Sequence, residues 1–368
     1  MSHPNHDAFW MQQALNLARS GQGYVEPNPM VGCVIVRDGK LLGQGYHARF
    51  GGPHAEIEAL QDCTENPGDA TAYVNLEPCS HHGKTPPCVE ALVQGGLARV
   101  VVADEDPFPA VSGTGIEQLK SAGIKVDVGT LREQAQRLNA PYVKRVTTGR
   151  PWVITKWAMT LDGKIAARSG DSQWISCERS RELVHALRGR VDAILVGRGT
   201  AKADDPLLTA RPAGPRIATR IVLDSLLNCD VSLQVVQTAG EVPTLFATGP
   251  DRNEVRAAEL RAAGCEVLVL DSDDPQQRLE LLLNELGRRD VSNLLVEGGS
   301  GVLGGFFDAG QIDEVHAFVS PRMVGGRGGV TAIGGVGADS VADALELDWT
   351  TRSFIDGDFY LTGRVNRS

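Results

Sequence analysis

Residues 53–60 read PHAEIEAL, and residues 77–88 read EPCSHHGKTPPC. The first opens a helix, with a proline-led start followed by apolar positions at helical spacing. The second resists both regular structures, because prolines at positions 78, 86 and 87 remove backbone donors and clash inside helices. It is therefore a stiff loop. An apolar strand pattern leads into it (ATAYVNLEPC, 70–79) and a helix pattern leads out (CVEALVQGG, 88–96). A helix followed by strand, loop and helix is the pattern of an α/β domain. The same loop gathers ligands. His54 stands at the first helix start, Cys79 at the strand end and Cys88 at the next helix start. One imidazole and two thiolates suit Zn²⁺, and three protein ligands leave a fourth position for water. Zinc lowers the pKa of that water from about 15.7 to about 7, making hydroxide available at neutral pH. Glu56 follows His54 closely and is placed to carry a proton from water to a leaving amine.

At 368 residues the chain is long for one domain, and 42% apolar content lets each of two domains bury a core. The formal charge of −10 argues against a nucleic-acid groove, which needs clustered Lys and Arg. Aromatics at 5% are too few for single-strand stacking platforms. A local basic pocket for one phosphate is compatible with both figures. MSHPNHDAFW has neither the basic start nor the apolar core of a signal peptide. No apolar run reaches the roughly 18 residues of a membrane span. Seven scattered cysteines, an odd number, suit a reducing compartment, so a cytoplasmic protein is expected.

Helix and strand patterns alternate through the first half. Residues 7–21 (DAFWMQQALNLARSG) predict a helix capped by Asp7 and stopped at Gly21. VGCVIVRDGKLLGQGYH places two apolar runs around Asp38 and Gly39, a hairpin signal. Further strand and helix patterns run to residue 128, and predict a mostly parallel sheet with helices on both faces. Periodicity lapses between residues 139 and 151, and a fresh pattern begins at WVITKWAMTLDGKIA (152–166). The boundary is read there, giving domains 1–147 and 148–368. The second half repeats the alternation, with a strand at 153–158, a helix capped at Ser176 and a long helix from Pro275. Strands then dominate from EVHAFVSP to the FYLTGRV terminus.

H-A-E followed by Pro78-Cys79 and a second cysteine resembles the signature of zinc nucleobase deaminases, where the Glu is a proton shuttle and not a ligand. One feature departs from it. Cys88 follows Cys79 by nine positions where C-x-x-C is usual, and the added loop is SHHGKTPP. PNPMVGCVIV (27–36), GYHARFGGPHAE (45–56) and EPCSHHGKTPPC resemble the deaminase domain of the bifunctional riboflavin-biosynthesis deaminase–reductases, which carry this longer spacing. The resemblance implies a cytidine-deaminase-like α/β/α domain. It implies hydrolytic removal of the 2-amino group from 2,5-diamino-6-(5-phosphoribosylamino)pyrimidin-4(3H)-one, giving 5-amino-6-(5-phosphoribosylamino)uracil and ammonia. It makes His54, Cys79 and Cys88 the zinc ligands and Glu56 the shuttle, with Asn28, His47, His81 and Lys84 at the substrate.

The second half carries KWAMTLDGKIA, SGDSQWIS, VGRGTAKADDPLLTAR, VLDS and VEGGSGVLGGF. The last is a glycine-rich turn between strand and helix, which exposes N–H groups and a positive helix end to a phosphate. Its Gly299, Gly301 and Gly304 fit G-x-G-x-x-G by letter, but the turn comes late in the domain and the next strand ends without a carboxylate. A Rossmann fold is therefore rejected. The motif series resembles the reductase domain of the same family, implying a dihydrofolate-reductase-like α/β domain and NADPH-dependent reduction of the ribosyl to the ribityl group. Thr160 stands where the family motif usually has Ser. Positions matching the cofactor site are Ala158, Trp174, Thr200, Asp204, Ser225, Gly299, Ser300, Gly301, Val302, Leu303, Gly304 and Gly305. Those matching the substrate site are Ser172, Arg188, Leu208, Arg211 and Glu297, with Lys156 beside them. Arg188 and Arg211 are candidates to grip the ribose phosphate bidentately. Lys156, Asp204 and Glu297 are candidates for the acid that hydride transfer requires.

Three other readings stay open. One is a closed zinc knot with Cys63 or His81 as fourth ligand, although such a knot has no need of Glu56. Another is a cytidine or tRNA-adenosine deaminase with an accessory C-terminal half, against which the acidic charge and loop spacing count. The last is a zinc-stabilised NADPH-binding scaffold. Neither nucleic acid nor a membrane is expected as a partner. Paired α/β domains of this kind commonly associate, so a homo-oligomer is expected.

Overall fold

The structure, a computed structural model, describes residues 4–80, 87–108 and 112–366. The chain divides into two compact units, Met1–Gly149 and Arg150–Ser368.

The first unit runs α1 (Pro4–Ala18), β1 (Gly32–Arg37), β2 (Lys40–Tyr46), α2 (Ala55–Gln61), β3 (Thr71–Val74), α3 (Cys88–Gln94), β4 (Arg99–Val102), α4 (Thr114–Ser121), β5 (Lys125–Val128), α5 (Arg132–Leu138) and α6 (Ala140–Thr148). Its sheet has the order β2-β1-β3-β4-β5. Only β3, β4 and β5 are parallel, because β1 pairs antiparallel with both β2 and β3. The expected mostly parallel sheet is thus half antiparallel. The cause is the turn at Asp38 (φ 52°) and Gly39 (φ 77°), whose two left-handed residues can only fold a strand back on itself.

Strand alternation builds a core on each face. From β1, Cys33 and Ile35 join Ala55, Ala59 and Leu92 under α2 and α3. Val34 and Val36 join Met11 and Leu15 under α1. Helix α2 lies hard against β2 because Gly43 and Gly45 have no side chain there. A Cβ on Gly43 would come within 2.3 Å of the Ala59 carbonyl, and one on Gly45 within 2.8 Å of the Ala55 carbonyl.

Two local expectations need correction. Helix α1 starts at Pro4, so Asp7 is not its cap. The Asp7 carboxylate instead accepts from both Arg99 Nη atoms (2.9 and 2.8 Å) and from the Tyr73 hydroxyl (2.8 Å). The stretch that lost periodicity is helix α6, which buries no residue fully.

The second unit continues with β6 (Trp152–Thr160), β7 (Lys164–Ala166), α7 (Glu178–Arg188), β8 (Ala193–Gly197), α8 (Arg198–Asp204), β9 (Thr219–Leu223), α9 (Gln234–Gln237), β10 (Thr244–Thr248), α10 (Glu254–Ala262), β11 (Glu266–Val269), α11 (Pro275–Arg288), β12 (Asn293–Val296), α12 (Ser300–Asp308), β13 (Glu314–Ser320), β14 (Val330–Thr331), β15 (Leu347–Ile355) and β16 (Asp358–Val365). Nine strands form the order β11-β10-β9-β8-β12-β6-β13-β16-β15. The first seven are parallel, and β16 and β15 close the edge as an antiparallel hairpin. Ile194 and Val196 of β8 face one core and Ala193 and Leu195 the other. Ser176 does not cap α7. Cys177 does, its sulfur accepting from the Ser180 N–H.

Candidate active sites of the two units

In the first unit the loops before α2 and α3 converge. His54 is the extended residue that starts α2, and Cys88 is the first residue of α3. His54 Nδ1 lies 3.1 Å from Cys88 Sγ and 3.5 Å from Cys79 Sγ, and the three donor atoms all fall within 4.8 Å of one another. Tetrahedral zinc with ordinary Zn–N and Zn–S bonds separates its nitrogen and sulfur donors by about 3.5 Å. The donor set fits the ion in type and in spacing.

Charge is shared across the same three groups. A hydrogen bond with Cys88 brings the Cys79 thiol down to about 4, against burial and with help from His54. The same bond to Cys79 and its own burial drive Cys88 upward. His54 is raised by its hydrogen bond to Cys79. A cation at the centre replaces those protons, which is how metal binding couples to ligand deprotonation. Glu56 is 3% exposed. Burial, then the Cys79 thiolate, pushes its carboxyl up to about 7. Cys63 donates to the Ala59 carbonyl (3.3 Å), and among the described residues only His54, Cys79 and Cys88 cluster as metal ligands.

Asn28 and His47 join this site. The buried His47 ring meets His54 edge-on with centroids 5.4 Å apart. Its Nδ1 donates to the Pro53 carbonyl (2.8 Å), which leaves Nε2 to accept from Asn28 Nδ2 (3.2 Å). Burial lowers the His47 pKa and keeps the ring neutral. His81 and Lys84 lie outside the described residues.

One residue here had no role in the sequence reading. Glu77, immediately before Pro78-Cys79, accepts four backbone N–H groups, from Asp106, Gly113, Gly115 and Ile116, at 2.9–3.2 Å. Gly115 lets α4 come close, since a Cβ there would sit 2.1 Å from the Pro78 carbonyl. The clamp fixes the turn that presents Cys79. Glu77→Gln, which replaces one anionic oxygen by a donor, is expected to weaken zinc binding about 10–100-fold. Chelator competition measures this, and an unchanged zinc affinity would leave Glu77 a purely local loop fastener.

The second unit has two adjoining clefts. The smaller, about 640 Å³, includes Lys156, Ala158, Trp174, Arg188, Leu208, Arg211 and Glu297 in its lining. The larger, about 930 Å³, includes Ser225, Ser300, Gly301, Val302 and Gly305. Ser172, Thr200, Asp204 and Gly299 line both, so the clefts meet there. Gly197 and Gly298 make room for Val302, which would lie 2.6 Å from a Cβ on either. The exposed start of α12 and a cleft of this size suit a phosphate-bearing cofactor such as NADPH. Leu303 and Gly304 do not line the clefts. They fall on the other face of α12, where Leu303 enters the core and Gly304 abuts Gly334.

Parallel pairing of β12 with β6 aligns Val296 with Thr155, which brings Glu297 beside Lys156. Lys156 Nζ lies 3.9 Å from Glu297 Oε2. Burial pushes the Lys156 pKa down while Glu297 resists, and burial pushes Glu297 up while Arg188 more than offsets it. Arg188 donates to Glu297 through Nε (2.6 Å) and Nη2 (2.8 Å), and through Nη1 to the Thr209 carbonyl (3.4 Å). Three of its five N–H donors are engaged, and the Glu297 carboxylate takes most of the charge that the sequence reading offered to a phosphate. Arg211 is exposed at the rim, with Nη1 on Thr209 Oγ1 (3.0 Å). Burial raises the Asp204 carboxyl, which accepts from Ser172 Oγ (3.5 Å).

Family models match both units. One for the cytidine and deoxycytidylate deaminase zinc-binding region covers residues 4–104, and one for the RibD C-terminal domain covers 151–355. The riboflavin biosynthesis protein RibD of Actinobacillus pleuropneumoniae is 41% identical over 355 residues, 96% of this chain and 94% of that protein. RibD of Escherichia coli K12 is 38% identical, covering 93% of this chain and 94% of that protein. A solved diaminohydroxyphosphoribosylaminopyrimidine deaminase/5-amino-6-(5-phosphoribosylamino)uracil reductase from Thermotoga maritima aligns with a TM-score of 0.85 at 35% identity, covering 99% of this chain and 100% of that one. With both domain models matched in order and the likeness running the length of the chain, the chain belongs to the RibD family of riboflavin biosynthesis proteins.

Proposed function

We propose that the chain carries out two successive steps on one phosphoribosylated pyrimidine, hydrolytic deamination in the first unit and NADPH-dependent reduction in the second. The observation that carries the reading is the convergence of His54 Nδ1, Cys79 Sγ and Cys88 Sγ on one point beside the buried Glu56. Zinc held by these three supplies a Lewis acid that makes water nucleophilic at neutral pH. Glu56, buried beside the three donors, would take a proton from water and return it to the departing amine. A C–O bond forms at the ring carbon as the C–N bond breaks, and ammonia leaves. His47 and Asn28 present fixed polar groups to the pyrimidine from the neighbouring loops.

In the second unit the smaller cleft takes the ribosyl group and the larger takes NADPH, which supplies a hydride. Glu297 is held ionised by Arg188, so it orients charge without giving up a proton. Lys156 is the donor that protonates the sugar oxygen as the ring opens, and exposed Arg211 is the phosphate contact at the rim. The test is an ammonia assay on zinc-analysed protein. Ammonia is expected from 2,5-diamino-6-(5-phosphoribosylamino)pyrimidin-4-one without NADPH, and NADPH oxidation only after that step. Deamination of cytidine in place of this substrate would overturn the reading.

A further inference from the structure

Resting on the reductase reading, we infer that Arg278, with Ser225, reads the 2′-phosphate of NADPH and sets the preference for NADPH over NADH. The larger cleft crosses the carboxyl ends of β12, β8, β9, β10 and β11, with Gly299, Gly197, Leu223, Thr248 and Leu270 in its lining. Strands about 4.8 Å apart make that crossing about 20 Å long. One end is fixed by chemistry. The nicotinamide must reach the substrate, so it sits where Ser172, Asp204 and Gly299 line both clefts. The diphosphate then falls at the start of α12, a nine-residue helix with open N–H groups at Ser300 and Gly301. This leaves the far end, over β9 to β11, for the adenosine.

Arg278 stands at that far end. Its Nη1 is anchored on the Ser272 and Asp273 carbonyls (2.9 and 3.0 Å), and its Nη2 points to the exposed Ser225 hydroxyl (3.5 Å). Among the described residues the hydrogen bonds given to this guanidinium go to two carbonyls and a hydroxyl and to no carboxylate. Nearby Asp274 is occupied as the α11 cap, accepting from the Gln276 N–H (3.0 Å). The other cation of the lining, Arg198, lies 4.0 Å from Asp224, which takes up part of its charge. An anchored guanidinium beside an exposed hydroxyl matches a phosphate dianion and gains much less from the neutral hydroxyl that NADH has there. In a chain of net charge −10, such local charge must do the selecting.

Fluorescence titration of the full chain with NADPH and with NADH tests this. Arg278→Gln is expected to weaken NADPH binding about 10–100-fold and NADH binding less than about 3-fold. Arg278→Lys should recover part of the loss, and ammonia release should be unaffected in both variants. Equal weakening for both nucleotides would make Arg278 a structural residue and overturn the inference. So would selectivity that survives Arg278→Gln but is lost in Arg198→Gln. A wild-type chain that binds neither nucleotide would instead remove the reductase reading beneath it.

Discussion

Glu56→Gln should lower ammonia release by about 10²–10⁴-fold while zinc content stays at its wild-type level. The side chain is 3% exposed in the first turn of α2, so an isosteric amide keeps its packing. It loses the one property the chemistry needs, which is to accept a proton and release it again. Glu56 is not in the donor cluster of His54, Cys79 and Cys88, so metal retention is expected. Reduction of substrate that has already been deaminated should be unimpaired, because Lys156, Asp204 and Glu297 belong to the other compact unit. Ammonia assay, metal analysis and NADPH oxidation on the same preparation decide it. A variant that deaminates normally would return Glu56 to a structural role. One that loses reduction as well would refute the independence of the two sites.

The cluster of His54, Cys79 and Cys88 was legible because its information is local. Each sits in a short motif at a strand end or helix start, and His, Cys and Cys are the residue types the ion selects. The hairpin at Asp38 and Gly39 was legible for the same reason, since two adjacent residues specify the turn. What escaped was set by residues far apart in sequence. Glu77 takes its four partners from positions 106 to 116, and Arg188 meets Glu297 across 109 positions. From sequence, Arg188 reads equally well as a free cation or a buried partner. Helix α6 escaped because it is only nine residues long, has Pro141 in its first turn and buries none of its residues fully. Leu303 and Gly304 show the opposite error. They belong to the glycine-rich motif, but one turn of α12 carries them away from the cleft into the packing behind it.

Lys156→Met should reduce NADPH oxidation on deaminated substrate by about 10²–10⁴-fold, with ammonia release and NADPH binding unchanged. The lysine stem is packed, with its side chain 19% exposed, and methionine fills most of the same space without the ammonium. The pH profile separates proton donation from packing. Burial lowers the Lys156 pKa below its ordinary 10.5, with Glu297 opposing and Arg188 assisting. A donor must hold its proton, so wild-type reduction is full at pH below that lowered value and falls as pH rises through it. Glu297→Gln removes the opposing negative charge and leaves Arg188 buried without its partner, and both changes push Lys156 lower still. The alkaline limb of the reductase profile should therefore move to lower pH in Glu297→Gln and vanish in Lys156→Met. If the limb instead stays in place in both variants, the titrating donor is another group. Asp204, raised by its own burial and lining both clefts, is the next residue to substitute.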